Sequence, residues 1–342
     1  MKFFGNMSKR IGIDLGTANI LVYVAGEGVV LNEPTVVAVR ADDNKVVAVG
    51  QEAKDMLGRT PGNIVATRPL KDGVIADYVI TQDMLAYFID KVSGRSRFIK
   101  PEVMVCIPSG VTQVEKRAVL DATMASGARA VYLIEEPLAA AIGAKIPIAQ
   151  ANGHMILDSG GGTTDIAVIS LGGVVVHKSI KAAGNKLEEA ISNYVRKRFN
   201  LLIGDRTAEE IKIKVGTALI DSTSEKKTME IKGRDSVSGL PRSIEISNVE
   251  VNDALLPVVK QIVAAIRETF EITPPELASD IIDKGIVLSG GTSLLHNLDK
   301  YITRETGVPS YVAEDPLYCV VRGTGVALEN LELYKRSINK ND

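Results

Sequence analysis

The sequence predicts an α/β fold in which two related halves close on a shared cleft. Three observations carry that expectation. The segment Ile11-Gly12-Ile13-Asp14-Leu15-Gly16-Thr17-Ala18-Asn19 is echoed 144 residues later (158 − 14) by Met155-Ile156-Leu157-Asp158-Ser159-Gly160-Gly161-Gly162-Thr163-Thr164-Asp165. Each copy reads as an apolar strand, an aspartate, a glycine turn with hydroxyls and a second strand, over 20–24 and 166–169. Such a hairpin offers backbone N–H groups to an anion and a carboxylate to a metal. Strand patterns alternate with helical ones in both halves, as in helix-covered sheets. A length of 342 residues suits roughly two domains, each with its own core.

The elements follow in order. After the first hairpin, 29–31 and 35–39 read as strands separated by Asn32-Glu33-Pro34, and Asp42-Asp43-Asn44-Lys45 turns into a strand over 46–50. A helix over 52–57 and a Pro61-Gly62 loop make 35–75 a small insertion in the first half. Met84, Leu85, Phe88, Ile89 and Val92 share one face of a helix over 80–92. A strand at 103–107 ends at Pro108-Ser109-Gly110, and a helix over 112–126 exits at Gly127. The strand 131–134 runs through Glu135-Glu136-Pro137 into a small-residue helix over 138–144. In the second half, Gly172-Gly173 turns into a strand over 174–176, and helices cover 186–199 and 208–219. Residues 221–247 alternate polar and apolar around Gly239-Leu240-Pro241, as a second insertion would. An amphipathic helix over 253–269, a strand over 286–288 and a helical segment over 320–336 complete the chain.

Hydrophobic residues make up 45% and charged residues 24%, an ordinary globular composition, and the net charge of −2 argues against a general nucleic-acid binder. Cys106 and Cys319 lie in apolar runs without metal or redox spacing, which suits buried thiols in a reducing cytoplasm. No apolar run reaches the ~18–20 residues of a membrane span, and the start lacks the continuous apolar core of a signal peptide. Phe3, Phe4 and Met7 would share one face if the start curled, with Lys2, Lys9 and Arg10 around it. That segment is either a membrane-surface anchor or a frayed terminus. His154, His177 and His296 are scattered and carry no assigned chemistry.

In the first hairpin, Gly16 lets backbone approach phosphate oxygens without a Cβ in the way. Thr17 and Asn19 add donors around Ala18, and Asp14 is placed to hold Mg²⁺ through water. Gly160, Gly161, Gly162 and Thr163 repeat the arrangement, with Asp158 as the second metal-side carboxylate. The competing reading is two tight hairpins whose aspartates satisfy turn amides. Ser289-Gly290-Gly291-Thr292 follows a strand and opens a helix, a bed for an adenosine ring. Glu136 precedes Pro137, which suits the first helical position, so Glu136 reads as the cap residue. It is either a carboxylate placed for the helix dipole or one that orients a water toward a γ-phosphate. Phe98 and Ile99 lie among Arg95, Arg97 and Lys100, a pattern for insertion into an anionic membrane surface, or for a loop folding back on the core.

In this order, the two phosphate hairpins, the Glu-Pro helix start and the Gly-Gly turn resemble the actin/Hsp70/sugar-kinase superfamily, and within it the MreB bacterial actins. Supporting stretches include Leu31-Asn32-Glu33-Pro34-Thr35-Val36-Val37-Ala38, Met56-Leu57-Gly58-Arg59-Thr60-Pro61-Gly62 and Arg68-Pro69-Leu70-Lys71-Asp72-Gly73-Val74-Ile75-Ala76-Asp77. Val105-Cys106-Ile107-Pro108-Ser109-Gly110, Asn200-Leu201-Leu202-Ile203-Gly204 and Thr273-Pro274-Pro275-Glu276-Leu277-Ala278-Ser279-Asp280 add to them. The resemblance implies an actin-like, ribonuclease H-like duplicated fold of four subdomains. These are IA over 1–34, 76–144 and 315–342; IB over 35–75; IIA over 145–182 and 244–314; and IIB over 183–243. It also implies an ATPase using ATP/ADP and Mg²⁺ in the cleft and polymerising into paired protofilaments on the anionic inner surface of the cell membrane. Its partners there would be membrane-linked shape or morphogenesis proteins and not nucleic acid. Its role would be cell shape, or helicity and motility in a wall-less cell.

By motif position the resemblance makes Glu136 the water-activating residue and Thr163 the threonine near the attacking water, with Asp14 and Asp158 on the metal side. It adds Gly184, Glu209 and Lys212 to the nucleotide site, the last two flanking ribose and base, and makes Phe98-Ile99 a membrane-inserting pair. Read alone, Glu209 and Lys212 are a surface pair three apart on a helix. Ile20, Ser159, Asp165, Asn185 and Gly291-Thr292-Ser293 depart from the usual pattern, as in a divergent paralogue, and leave hydrolysis rate open. Two alternatives stand: a small-molecule kinase of the same superfamily, for which no acceptor constellation is visible, and a nucleotide-gated filament or adaptor with little hydrolysis.

Overall fold

The two echoed segments fold as mirrored hairpins in a computed structural model that describes residues 8–94, 99–221, 225–335 and 337–340. Arg10–Leu15 pairs antiparallel with Asn19–Val24, placing Asp14 opposite Leu21. His154–Ser159 pairs with Thr164–Ser170, placing Asp158 opposite Asp165. On its other side each leading strand takes a parallel neighbour, Glu102–Ile107 in the first half and Ile286–Ser289 in the second. Parallel pairing needs a crossover, so each hairpin is built into a sheet whose remaining strands arrive from far along the chain.

The first sheet runs Ile338–Lys340, Ala130–Glu135, Glu102–Ile107, Arg10–Leu15, Asn19–Val24, Gly28–Pro34. The second runs Gly173–Ile180, Thr164–Ser170, His154–Ser159, Ile286–Ser289, Ser310–Val312. Apolar residues at Ile11, Ile13, Val103 and Val105 face the helices Tyr78–Ser93 and Gln113–Ala125 to make one core. Met155, Leu157, Ile166 and Val168 make another with Gly184–Phe199 and Asn248–Glu271. A third core lies between the sheets, where Met104, Cys106 and Ile134 meet Ile156, Ala167 and Ile169 around the Glu136–Gly143 and Cys319–Glu329 helices. The run Leu138-Ala139-Ala140-Ala141-Ile142-Gly143 explains how those helices fit there. A methyl group at Gly143 would overlap the Cys319 carbonyl, and one at Gly323 would overlap the Ala139 carbonyl. The two helices touch backbone to backbone.

Both insertions form small sheets flanking the cleft. Val37–Arg40, Val46–Val49 and Ile64–Thr67 pack the helix Gln51–Met56 through Val36, Ala38, Ala48 and Ala53. Leu201–Leu202, Thr228–Asp235 and Pro241–Ser247 form the second, beside the helix Asp205–Val215.

Several element ends differ from expectation. The helix expected over 253–269 spans Asn248–Glu271, because Ser247 and Glu250 close a capping box at its start. The one expected over 208–219 is Asp205–Val215, ending at an extended Gly216. The closing segment breaks at Asn330 into Cys319–Glu329 and Leu331–Tyr334, and Ile338–Lys340 then joins the first sheet. Beyond Gly290 the chain makes only a 3₁₀ turn, Gly291–Leu294. The helix Pro275–Lys284 was not foreseen. Among the described residues no helix is long and apolar enough to cross a membrane. Ile99 is half-buried, while Phe3, Phe4 and Phe98 lie outside the described residues.

Because Gly323 meets backbone, which cannot swing aside as a side chain can, Gly323→Ala is expected to lower stability by about 3 kcal/mol or more. Urea unfolding of the variant against the native chain measures it.

Candidate functional site

Each hairpin carries an aspartate one residue before the end of its leading strand and turns on glycine, so the two tips project from matching edges of the two sheets. They meet. A Cβ at Gly161 would lie 2.5 Å from that of Ala18, and one at Gly162 would overlap the Thr17 hydroxyl. Glycine at these positions lets the halves approach at backbone distance. The first tip is braced by Thr35 Oγ1 donating to Gly16 O (2.7 Å), Gly73 N donating to Thr17 Oγ1 (2.9 Å) and Asn19 Nδ2 donating to Asn32 Oδ1 (2.7 Å). The second is braced by Thr292 Oγ1 and Gly184 N, both donating to Gly160 O at 2.7 and 3.1 Å, and by Asn185 N donating to Gly161 O (2.8 Å). Ser159, unusual by pattern, is fully buried with its hydroxyl 2.6 Å from that of Thr164. Gly290 has φ 81°, and a side chain there would overlap Ser159.

One cleft of about 490 Å³ receives these groups. It is lined by Asp14, Gly16, Thr17, Ala18, Asn19, Glu136, Asp158, Gly160, Gly161, Gly162, Thr163, Gly184, Glu209, Lys212, Gly290, Gly291 and Thr292, so every residue expected at a nucleotide, metal or catalytic position faces it. Sequence reasoning did not assign Gly73, Glu188, Ile213, Leu294 or Leu317, which line it too. Ile213 and Leu294 are largely exposed apolar side chains in its wall. No local signal marks them, since they come from separate helices and turns.

Three acids, Asp14, Glu136 and Asp158, line the cleft floor, and a fourth, Asp165, is fully buried nearby. Glu136, Asp158 and Asp165 are buried, while Asp14 keeps some contact with the open cleft. Burial pushes the Asp14 carboxyl up to about 7, and the nearby Asp158 charge adds to it. Burial lifts Asp158 to about 6 and, with the Asp158 charge, Asp165 to about 7. Glu136 is pushed well above the carboxylate range by burial first, then by Asp165, Asp14 and Asp158. Among the described residues no lysine or arginine offsets any of these shifts. Asp14 Oδ1 accepts only a weak bond from Cys106 Sγ (3.4 Å), and Asp158 Oδ1 accepts from Ser289 Oγ (2.6 Å). Neither of these bonds comes from a turn amide.

Buried carboxylates without a counter-charge fit a cation. Among the described residues no three His, Cys, Asp or Glu side chains converge to enclose one. A Mg²⁺ held here by Asp14 and Asp158 would complete its shell with water and phosphate oxygens, as that ion prefers.

Two local expectations need correction. Glu135, not Glu136, takes the extended cap conformation; Glu136 and Pro137 are the first two helical residues. Ser109 Oγ donates to Glu135 Oε2 at 3.0 Å, leaving the Glu136 side chain to the cleft. Glu209 and Lys212 do not pair with each other: Glu209 faces Lys54 at 2.8 Å and Lys212 faces Glu188 at 2.5 Å.

A carboxyl whose folded pKa is raised stabilises the fold fully below its unfolded value, 3.8 for Asp14, and that stability is lost as pH rises through about 7. Without nucleotide, Asp14→Asn is therefore expected to be more stable than the native chain at pH 8 by about 2 kcal/mol, with the difference shrinking toward pH 5. Urea unfolding at both pH values checks the sign.

Residues 8–336 match the family described as MreB/Mbl protein. The cell shape-determining protein Mbl of Bacillus cereus is 52% identical over 332 residues, covering 97% of this chain and 99% of that one. The crystal structure of Spiroplasma citri MreB5 bound to AMPPNP superposes with a TM-score of 0.91 at 41% identity, covering 96% of this chain and 98% of that one. The ADP-bound structure of the same protein gives 0.89 at 41% identity, covering 95% and 98%. The duplicated sheets around the cleft are an actin-like fold, and the chain belongs to the MreB/Mbl family.

Proposed function

We propose that this chain binds ATP and ADP with Mg²⁺ in the cleft, hydrolyses ATP, and couples that cycle to assembly into paired protofilaments. The observation that carries the reading is the meeting of two glycine hairpin tips above three cleft-lining acids that have no counter-cation among the described residues. The MreB5 relative is described with AMPPNP and with ADP, which supports a nucleotide in the same place. Gly16 to Asn19 and Gly160 to Thr163 hold the phosphates from opposite sides, and Asp14 and Asp158 would hold Mg²⁺, which would supply charge neutralisation for the phosphates. Gly184, Gly290, Gly291 and Thr292 bed the adenosine, with Glu209 and Lys212 flanking ribose and base. Glu136 orients water for in-line attack beside Thr163; a carboxylate can position that water without fully removing its proton.

The four subdomains, with the boundaries stated above, close as two halves around the nucleotide, so occupancy biases the subunit shape that polymerises. The chain works in the cytoplasm on the inner face of the cell membrane, with Phe98-Ile99 and the start around Phe3 and Phe4 as its membrane contacts. It sets cell shape, as the name of its Mbl relative implies, together with membrane-linked morphogenesis proteins. One observation favours a second reading, a nucleotide-gated filament with little hydrolysis: burial first, and then the neighbouring acids, favour the protonated form of Glu136, which leaves little carboxylate free to take a proton.

Phosphate release separates the two. Glu136→Ala is expected to slow release by about 100-fold or more, the scale of a lost general base, while leaving ATP binding in place. Equal rates from native and variant chains would sink the catalytic assignment. Electron microscopy on anionic liposomes with ATP is expected to show membrane-bound paired filaments.

A further inference from the structure

The cleft is bridged at its mouth by a contact that neither hairpin explains. Lys54, on the helix Gln51–Met56 of the first insertion, reaches across to Glu209, on the helix Asp205–Val215 beside the second. Its Nζ lies 2.8 Å from Glu209 Oε2 and 3.1 Å from Oε1, engaging both carboxylate oxygens. A second crossing joins the same helices, Arg206 Nη1 to Asp55 Oδ1 at 3.8 Å. The two differ in weight. Lys54 and Glu209 are 25% and 31% exposed, against 60% and 57% for Arg206 and Asp55, so the first is the less screened by solvent.

Lys54 is presented from a firm base. Ala53, next to it, is fully buried against Val36, Ala38 and Ala48. Gln51 N donates to Glu33 Oε2 (3.0 Å), and Glu33 Oε1 accepts from Lys91 (3.1 Å), which ties the helix start to the first half. Glu209 stands on a helix anchored in the other half, with Ala208 and Ile211 fully buried beside it. Its neighbour on the same helix face is Lys212, three residues on, the ordinary partner for a carboxylate in that position. In the structure Lys212 is engaged by Glu188 and Glu209 by Lys54. We infer that Lys54 is a positioning residue of the nucleotide site: it holds Glu209 away from Lys212 and presents its carboxylate to the ribose hydroxyls from the opposite side of the cleft. This rests on the proposed ribose role of Glu209. It makes ribose recognition a joint act of both halves, so the cleft must be closed for the sugar to be read.

The test measures release of Mg·ATP and Mg·2′,3′-dideoxy-ATP from native, Lys54→Met and Lys54→Arg chains, with thermal unfolding to confirm the fold. Native protein is expected to release the dideoxy nucleotide about tenfold faster, as loss of a charge-assisted hydrogen bond implies. Lys54→Met, which keeps the stem without the charge, releases ATP about fivefold faster, the upper range for a part-exposed pair, and dideoxy-ATP at the native rate. Lys54→Arg stays near native. Equal acceleration of both nucleotides in Lys54→Met, acceleration of neither, or Lys54→Arg behaving as Lys54→Met overturns the role of Lys54 while leaving the ribose contact standing. Native protein that releases both nucleotides alike overturns the ribose reading itself, and this inference with it.

Discussion

Four acids without a cation set the terms for the rest of the molecule. Asp14, Asp158, Asp165 and Glu136 come from two sheets and a helix start, and each is lifted chiefly by burial, with neighbouring acids adding to the shift of Asp14, Asp165 and Glu136. A fold that only had to be stable would not gather them, since hydrophobic residues of similar size would fill the floor with less strain. The cleft therefore carries a standing electrostatic demand. In the function proposed above, a metal and a phosphate chain arriving together would meet it, because the hairpin tips supply the anion side of the same arrangement.

The demand can be held because the two halves share a helix layer. Glu136–Gly143 and Cys319–Glu329 cross with Gly143 against the Cys319 carbonyl and Gly323 against that of Ala139, and both sheets pack on the pair. Glu136 thus stands at the start of a helix on which both sheets pack, close-packed against its partner helix backbone to backbone. The mouth is held differently. There the crossing contacts are ion pairs between two small insertions, which break and reform at far smaller energetic penalty than packed backbone. A rigid floor and a soft mouth suit a cleft that opens for exchange without disturbing its acids.

Much of this was legible in the chain. The hairpins at Asp14 and Asp158, the Gly290-Gly291 turn and the Glu136 helix start are local patterns, in which a strand, an acid and a glycine lie within a few residues of each other. The helix start at Asn248 was legible too, in Ser247 and Glu250, and was missed because the apolar periodicity strengthens only further on. Glu209 and Lys212 show the opposite case. Their spacing of three suggests a pair, yet each is claimed by a residue from another element, Lys54 and Glu188. No local pattern records a partner 155 residues away. Ile213, Leu294 and Leu317 escaped notice for the same reason.

The sequence by itself determined which chemistry the protein carries, because phosphate-binding turns and metal-side acids need particular residue types at short, fixed spacing. Only the tertiary structure decided how those groups bear on one another: that the two tips touch, that Asp14, Glu136 and Asp158 share one cleft floor with Asp165 buried nearby, and that Lys54 answers Glu209 across the mouth. The physical reason is range. Backbone conformation is set by neighbours in the chain, whereas burial and Coulomb energy depend on distances that exist only after the halves have closed.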